Sequence, residues 1–247
     1  MYQFFVEPEQ IGEENAYIVG EDVNHIKNVL RMKIGEELNL SNGIDGKEYR
    51  CAIKAIDDER IDLELRFIKE DGHELSSKVY LFQGLPKADK MESIIQKNVE
   101  LGVYEIIPVA MKRCVVKLDD KKSKSKVSRW QSIAQAAAKQ SKRGIIPQVK
   151  EPMTFKEAIK YAKDNCRVLV LPYEMAEDMS YTRKIFEAIP KGESIAVFIG
   201  PEGGFDGPEV ELAVTEGFSK ITLGRRILRT ETAGMTVMSV LMYMLEE

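Results

Sequence analysis

The 247-residue chain is poor in the side chains that metal and nucleophile chemistry most often uses: two histidines, His25 and His73, and three cysteines, Cys51, Cys114 and Cys166. The cysteines lie far apart and form no CxxC, so neither a zinc site nor a disulfide framework is indicated. A reducing compartment is expected, with thiols that serve mostly as packing residues. HExxH and GxSxG are both missing, and zinc hydrolysis and Ser-His-Asp catalysis find no support. A GxxxxGK[ST] loop is also missing, as is a GxGxxG after a strand, which removes the usual nucleotide grips. Long apolar runs are absent too. The longest, Met235 to Leu245, has 11 residues and includes Thr236 and Ser239, too short to span a bilayer. The opening MYQFFVEPEQ has no basic segment followed by an apolar one. No secretory signal is read there, and a cytoplasmic protein with no membrane partner is expected.

What is present is ordinary globular material: 44% hydrophobic and 31% charged residues, enough to offset chain entropy with a core. The length suits one large domain, or one small and one medium domain. The net charge of −4 hides an uneven distribution. Residues 1–72 carry nine basic and seventeen acidic side chains, a net of −8. Residues 112–143 carry eleven basic side chains against Asp119 and Asp120, a net of +9. Phosphate neutralisation draws nucleic acid to such a block, and a solvated lysine-rich loop is its plain alternative.

The first 70 or so residues read as mostly β. Tyr49, Cys51, Ile53 and Ala55 alternate, Asp57 to Glu59 turn the chain, and Ile61, Leu63, Leu65 and Phe67 alternate again, which predicts a half-buried hairpin. A short helix is predicted with Ile26, Val29 and Leu30 on its apolar face, Asp22 or Asn24 as cap and Gly35 after its end. A small barrel closes so many short strands naturally. Glu70 to Glu74 reads as a linker. From Lys78 strands and helices alternate. VYLFQGL is a strand, Pro86 opens a helix that stops at Gly102, and EIIPV, RVLVLP and SIAVFIG are strands buried on both faces. A long helix is read around Trp130, after the basic block, and Thr154 to Glu157 fits a capping box. Pro208 to Glu216 is helix, Lys220 to Leu223 a short strand, and Thr230 opens a last helix that is apolar nearly all round. That helix is either a core helix or a subunit contact. The fold class is a small β domain followed by an α/β domain.

Two glycine-rich turns follow C-terminal strands, where open α/β sheets bind ligands. One is Ile199-Gly200-Pro201-Glu202-Gly203-Gly204-Phe205. The other runs Leu223-Gly224-Arg225-Arg226-Ile227-Leu228-Arg229-Thr230-Glu231-Thr232-Ala233. Glycines there let backbone approach a flat ligand without a Cβ in the way. Taken singly, each turn is ordinary loop chemistry, and Glu202 or Arg229 alone reads as a surface or structural ion pair. Together, GPEGGF followed by LGRRILRTETA resembles the RsmE family of ribosomal RNA methyltransferases in the SPOUT superfamily. The resemblance extends to His25, Val29, Leu30 and Arg31, to QGLPKADKMESIIQKNVELGV, to Arg129-Trp130, to AAKQSKR and to LPYE.

The resemblance implies a PUA-like β-barrel over residues 1–72 and a SPOUT domain over 73–247 with a C-terminal trefoil knot. It implies S-adenosylmethionine as methyl donor with no metal, a homodimer, and methylation of uridine N3 in 16S ribosomal RNA, within the small ribosomal subunit. It places the cofactor against Leu171, Pro172, Ile199, Gly200, Pro201, Glu202, Gly203, Gly204, Leu223, Gly224, Ile227, Leu228 and Arg229. The last helix then serves as knot core and dimer contact, through Met235, Met238, Leu241, Met242 and Leu245. Uridine N3 is a poor nucleophile until it loses its proton, so Arg229 is assigned to the developing anion. Glu231 or Glu202 is assigned to orient Arg229 or accept the proton. RNA contacts fall to Arg31, Lys33, Arg113, Arg129, Lys139, Lys142 and Arg143. Gln3 stands where a basic RNA contact is expected before the first Phe. Methylation of a ribose 2′-hydroxyl or of transfer RNA, an inactive RNA-binding factor and a small-molecule methyltransferase are the competing readings.

Overall fold

A computed structural model of the chain describes residues 1–70, 73–176 and 178–246. The expected linker and the expected boundary after residue 72 involve Asp71 and Gly72, which lie outside the described residues. The chain forms two compact units: Met1–Glu74 with Ala138–Ile146, and Leu75–Ala137 with Pro147–Glu247.

The first unit holds β1 (Gln3–Phe5), β2 (Asn15–Val19), α1 (Glu21–Asn24), β3 (Glu37–Ser41), β4 (Glu48–Ile56) and β5 (Arg60–Lys69). Its sheet order is β1-β3-β4-β5-β2, antiparallel except for the β1–β3 pair. The predicted hairpin is β4–β5, and it turns through Asp57, whose N–H bonds the Arg60 carbonyl at 2.9 Å. Ile53, Ile61 and Leu63 reach a core with Phe4, Ile18, Ile26, Leu38 and Leu40. The alternation fades outward: Phe67 is half exposed and lies under the Arg50 guanidinium. The short helix differs from expectation. It starts at Glu21 after Gly20, without an Asp22 or Asn24 cap, and continues as a π-helical turn over His25–Val29. The wider turn rotates Val29 outward, to 64% exposure. The turn ends at Arg31, exposed at φ 54, where the Met32 N–H closes on Ile26.

The return of Ala138–Ile146 into this unit was not legible in the sequence. Ile145 bridges Gly43, and Gly144 packs so closely that a Cβ there would stand 2.5 Å from the Gly46 carbonyl oxygen. Gln3 donates to Ser41 Oγ and to the Arg143 carbonyl, so its amide serves the fold at the position where an RNA contact is expected.

The second unit holds β6 (Val79–Gly84), α2 (Lys90–Glu100), β7 (Glu105–Ala110), α3 (Asp120–Gln140, whose last residues fall in the first unit) and β8 (Gln148–Val149). It continues with β9 (Met153–Thr154), α4 (Phe155–Asn165), β10 (Val168–Pro172), α5 (Met179–Glu187), β11 (Ile195–Ile199), α6 (Gly207–Thr215), β12 (Ser219–Ile221) and α7 (Thr230–Leu245). The order is β12-β10-β11-β6-β7-β8, with β9 also on β7, and every pair is parallel. That explains the unbroken apolar runs: helices cover both faces. Phe82 and Phe198 stack at 4.3 Å on one face, with Phe155 and Phe218 edge-on to Phe198. On the other face α7 packs against α2, β6 and β11.

Three expectations shift. The helix expected from Pro86 begins at Lys90, and the basic block lies largely within α3 instead of before it. On α7, Met238, Leu241 and Leu245 are core residues. Met235 and Met242 are half-buried, and Tyr243 is 86% exposed. The Thr154 capping box is present, with Glu157 Oε2 accepting the Thr154 N–H at 2.8 Å. Burial pushes the Cys51 and Cys166 thiols up to about 12, which makes them inert packing groups.

Candidate active site

The two glycine-rich turns meet at the C-terminal ends of β10, β11 and β12. Together they wall a pocket of about 500 Å³, within the usual range for small-ligand sites. Its lining includes Ile199 to Phe205, Thr222 to Thr230, Pro172, Tyr173, Glu174, Ala233 and Lys90. Backbone makes much of this wall because glycine does. Gly204 holds φ +68 with the Glu174 carboxylate 2.7 Å from where its Cβ would be, and Gly224 holds φ +111 facing open space. Gly203 differs from expectation. A Cβ there would meet the Arg113 side chain at 3.1 Å, so substitution would strike Arg113 and not the ligand space.

Neutral hydroxyls tie the turns down. Thr230, the first residue of α7, donates to the Gly200 carbonyl at 2.6 Å and accepts from the buried Gln83 amide at 2.8 Å. Thr182 of α5 accepts the Thr222 N–H at 3.0 Å, and Thr222 Oγ1 accepts the Gly224 N–H. Both glycine turns are thus fixed to core elements before any ligand arrives. Arg113 braces the first turn from outside, through the Gly203 carbonyl and Asp206.

The charged groups are arranged differently from the sequence-based assignment. Glu202 and Glu231 face Lys90, at 3.1 and 3.4 Å, instead of Arg229. Partial burial pushes the Glu202 carboxyl up. The N–H groups of Glu202 and Lys87 and the Lys90 ammonium outweigh it and hold the group below its ordinary range. Glu202 is therefore ionised and a weak proton acceptor. Arg229 caps α7 and lines the pocket as an exposed cation beside exposed Arg225 and Arg226. Among the expected cofactor contacts, Leu171 is a correction. It is fully buried in the core, whereas its strand neighbour Pro172 reaches the pocket, as alternation along a strand requires. Lys90, Tyr173 and Glu174 were not singled out as site residues, although KADKM and LPYE contain them.

The expected RNA contacts divide. Arg31, Lys33 and Lys142 are exposed. Arg113, Arg129 and Lys139 are ion-paired with Asp206, Glu92 and Asp22. Arg143 is a correction: its side chain is 3% exposed, and its guanidinium grips Glu74. Among the described residues no cluster of His, Cys, Asp and Glu suited to a metal is found, and no helix is long and apolar enough to cross a membrane.

Comparison with known proteins identifies the family of the chain. Residues 73–242 match the family described as RNA methyltransferase domain, and residues 18–66 match RNA methyltransferase PUA domain. A Bacillus subtilis relative named ribosomal RNA small subunit methyltransferase E is 38% identical, with 100% of this chain and 98% of the relative covered. A Neisseria gonorrhoeae structure of the same name, bound to S-adenosyl methionine, superposes with TM-score 0.81 at 29% identity, covering 98% of this chain and 97% of that one. A Legionella pneumophila methyltransferase structure with the cofactor SAM bound gives TM-score 0.78 at 32% identity, covering 98% and 96%. An N-terminal PUA domain and an all-parallel α/β domain whose glycine turns form one pocket thus place this chain in the ribosomal RNA small subunit methyltransferase E family of RNA methyltransferases.

Proposed function

We propose that the chain methylates N3 of a uridine in 16S ribosomal RNA, with S-adenosylmethionine as donor. The observation that carries this reading is the single pocket formed by both glycine turns with the Arg229 cation in its wall, in a chain so similar to its relatives over its full length. The pocket fits the donor. It is large enough, its glycine backbone admits a flat ring, and Ile199, Leu223, Ile227 and Leu228 add apolar contact. When bound, the donor supplies an electrophilic methyl on a sulfonium that leaves as a neutral thioether, so the leaving group calls for neither an acid nor a metal.

The difficult partner is the uridine. Arg229 lowers the cost of the N3 anion by placing fixed positive charge beside it in a partly enclosed site. Glu202, already ionised and paired with Lys90, orients the loop instead of taking the proton. N3 lies on the pairing edge, so the base must be unpaired or flipped to enter. Arg225 and Arg226 at the pocket wall, and Arg31, Lys33 and Lys142 on the first unit, are exposed cations suited to phosphate.

Three finer features belong to this proposal. Thr230 is bonded to both Gly200 and Gln83, which supports a trefoil knot that tucks the start of α7 against the β6 and β11 ends. The exposed Tyr243 with half-buried Met235 and Met242 supports a homodimer through α7. The substrate reading implies action on the small ribosomal subunit, in the cytoplasm.

Mass spectrometry of 16S RNA from a deletion strain, before and after complementation, tests the reaction. Loss and recovery of one N3-methyluridine is expected. Loss of a 2′-O-methyl or of a transfer RNA mark would overturn it. In single-turnover assays Arg229→Ala should slow transfer by about 10²–10³ while donor affinity holds, the scale of losing an oxyanion donor. Raising the pH should partly rescue that variant, because more uridine is then deprotonated unaided. Lost donor binding would make Arg229 a cofactor residue instead.

A further inference from the structure

Three separated pieces of chain meet at the Lys90 ammonium. It stands 3.1 Å from Glu202 Oε1, in the turn after β11, and 3.4 Å from Glu231 Oε2, in the first turn of α7. Glu202 also accepts the Lys87 N–H at 3.1 Å, so the stretch leading into α2 and the first residue of α2 both hold this carboxylate. The double hold needs a sharp bend. Ala88, between the two donors, sits at φ 54, a region that residues with a Cβ avoid. Glu231 Oε2 is shut off from solvent, and the Lys90 ammonium at 3.4 Å is its charge partner. The pairing raises the Lys90 pKa, chiefly through the bond to Glu202. Lys90 therefore stays charged at neutral pH and above it.

Remove the ammonium, and two carboxylates share a partly enclosed space with no cation between them. One belongs to the first glycine turn. The other lies two residues beyond Arg229, on the helix that carries Thr230. Their repulsion would push apart the two walls of the pocket.

We propose that Lys90 is a positioning residue for the transfer site. It balances Glu202 and Glu231 and so holds both turns, and Arg229, in the arrangement that takes the donor. It acts through those residues and not on reacting atoms. The inference rests on reading the pocket as the S-adenosylmethionine site, and its test is arranged so that the two can fail separately.

The test compares Lys90→Met, Lys90→Arg and the double variant Lys90→Met/Glu231→Gln in the full chain, by calorimetric titration with S-adenosylmethionine and by thermal unfolding. Lys90→Met should weaken binding by at least about tenfold, as an uncompensated carboxylate pair requires. Lys90→Arg, which keeps the charge, should stay within about threefold of the parent. The double variant should recover most of the loss and melt above Lys90→Met, because removing one carboxylate removes the repulsion. A purely packing role for the lysine stem would give no such rescue. The proposal is overturned if Lys90→Met binds like the parent, or if the double variant binds no better or fails to fold. If the parent itself gives no binding heat, the reading of the pocket fails. The order of melting temperatures then still decides whether Lys90 balances the carboxylates.

Discussion

Arg143 with Glu74, in the first unit, and Lys90 with Glu202 and Glu231, in the second, both join segments far apart in sequence, but by different means. Arg143 is enclosed, at 3% side-chain exposure, and its Nε lies 3.2 Å from both Glu74 oxygens. The Gly144 and Ile145 N–H groups complete the Glu74 acceptors at 3.0 and 3.1 Å. Lys90 is 30% exposed and meets two carboxylates as a point charge at the edge of a pocket. A planar fork with every acceptor filled fixes one geometry, whereas an ammonium on a flexible stem tolerates several. The first suits a seam that never opens. The second suits the edge of a pocket, where one charge balances two carboxylates from different segments.

The largest expected effect breaks the buried member of the pair. Arg143→Ala leaves Glu74 enclosed without its cation and should cost about 3–5 kcal/mol, read from urea unfolding. Glu74→Gln, which keeps acceptors for the two N–H groups, should cost less. An Arg143→Ala chain with the parent's unfolding midpoint would erase the contrast between the clusters. RNA affinity is the wrong readout for Arg143, because the side chain is not presented to solvent.

A neutral tether sharpens the contrast next. Thr230→Val keeps the shape but removes the hydroxyl between Gln83 and Gly200, leaving a buried amide and a carbonyl short of a partner. A loss of about 1–3 kcal/mol is expected, the cost of unsatisfied buried polar groups, and Thr230→Ser should restore most of it. Differential scanning calorimetry of the three chains checks this. Equal melting temperatures for the Val and Ser variants would show that the Thr230 hydroxyl does not hold the first turn.

How far the sequence reached follows the same division. Alternation in Tyr49 to Phe67 exposed the β4–β5 hairpin because that pairing is local. The apolar runs at Val79, Val168 and Ile195 announced a doubly covered sheet. The two glycine turns were visible as turns, and their union in one pocket came from family resemblance and not from spacing. What escaped were pairings set by tertiary structure alone. Nothing near Arg143 in sequence signals Glu74, since the partner lies 69 residues away. Lys90 likewise has no sequence neighbour that marks its partners, which lie more than 100 residues on. Its partners are the carboxylates that the sequence reading assigns to orient Arg229 or accept the proton. Leu171 and Pro172 show a smaller version of the same gap: the motif located the strand end, but only strand geometry decides which neighbour faces the ligand.

The smallest effect concerns strain, and here the two clusters agree. Each has a residue with a Cβ in the left-handed region beside its cation: Lys142 at φ 59 before Arg143, and Ala88 at φ 54 before Lys90. At Lys142 the cause is plain. It follows α3, and the Arg143 N–H bonds back to the Ala138 carbonyl at 3.0 Å, a helix stop that normally takes glycine. At Ala88 the cause is the bend that aims Lys87 N–H and Lys90 at Glu202. Glycine should relieve about 1–2 kcal/mol of conformational cost at either position. It also loosens the unfolded chain by about 0.4–1 kcal/mol, so each variant should gain about 0–1.6 kcal/mol in urea unfolding. The functional readouts should then diverge. Lys142→Gly loses an exposed cation and should flatten the salt dependence of RNA binding by about one phosphate contact. Ala88→Gly loses no charge and permits the same bend, so donor affinity should remain within about twofold of the parent. If Ala88→Gly instead weakens donor binding while stabilising the chain, the strain itself presses Lys90 onto its carboxylates, and the open cluster is more rigid than its exposure suggests.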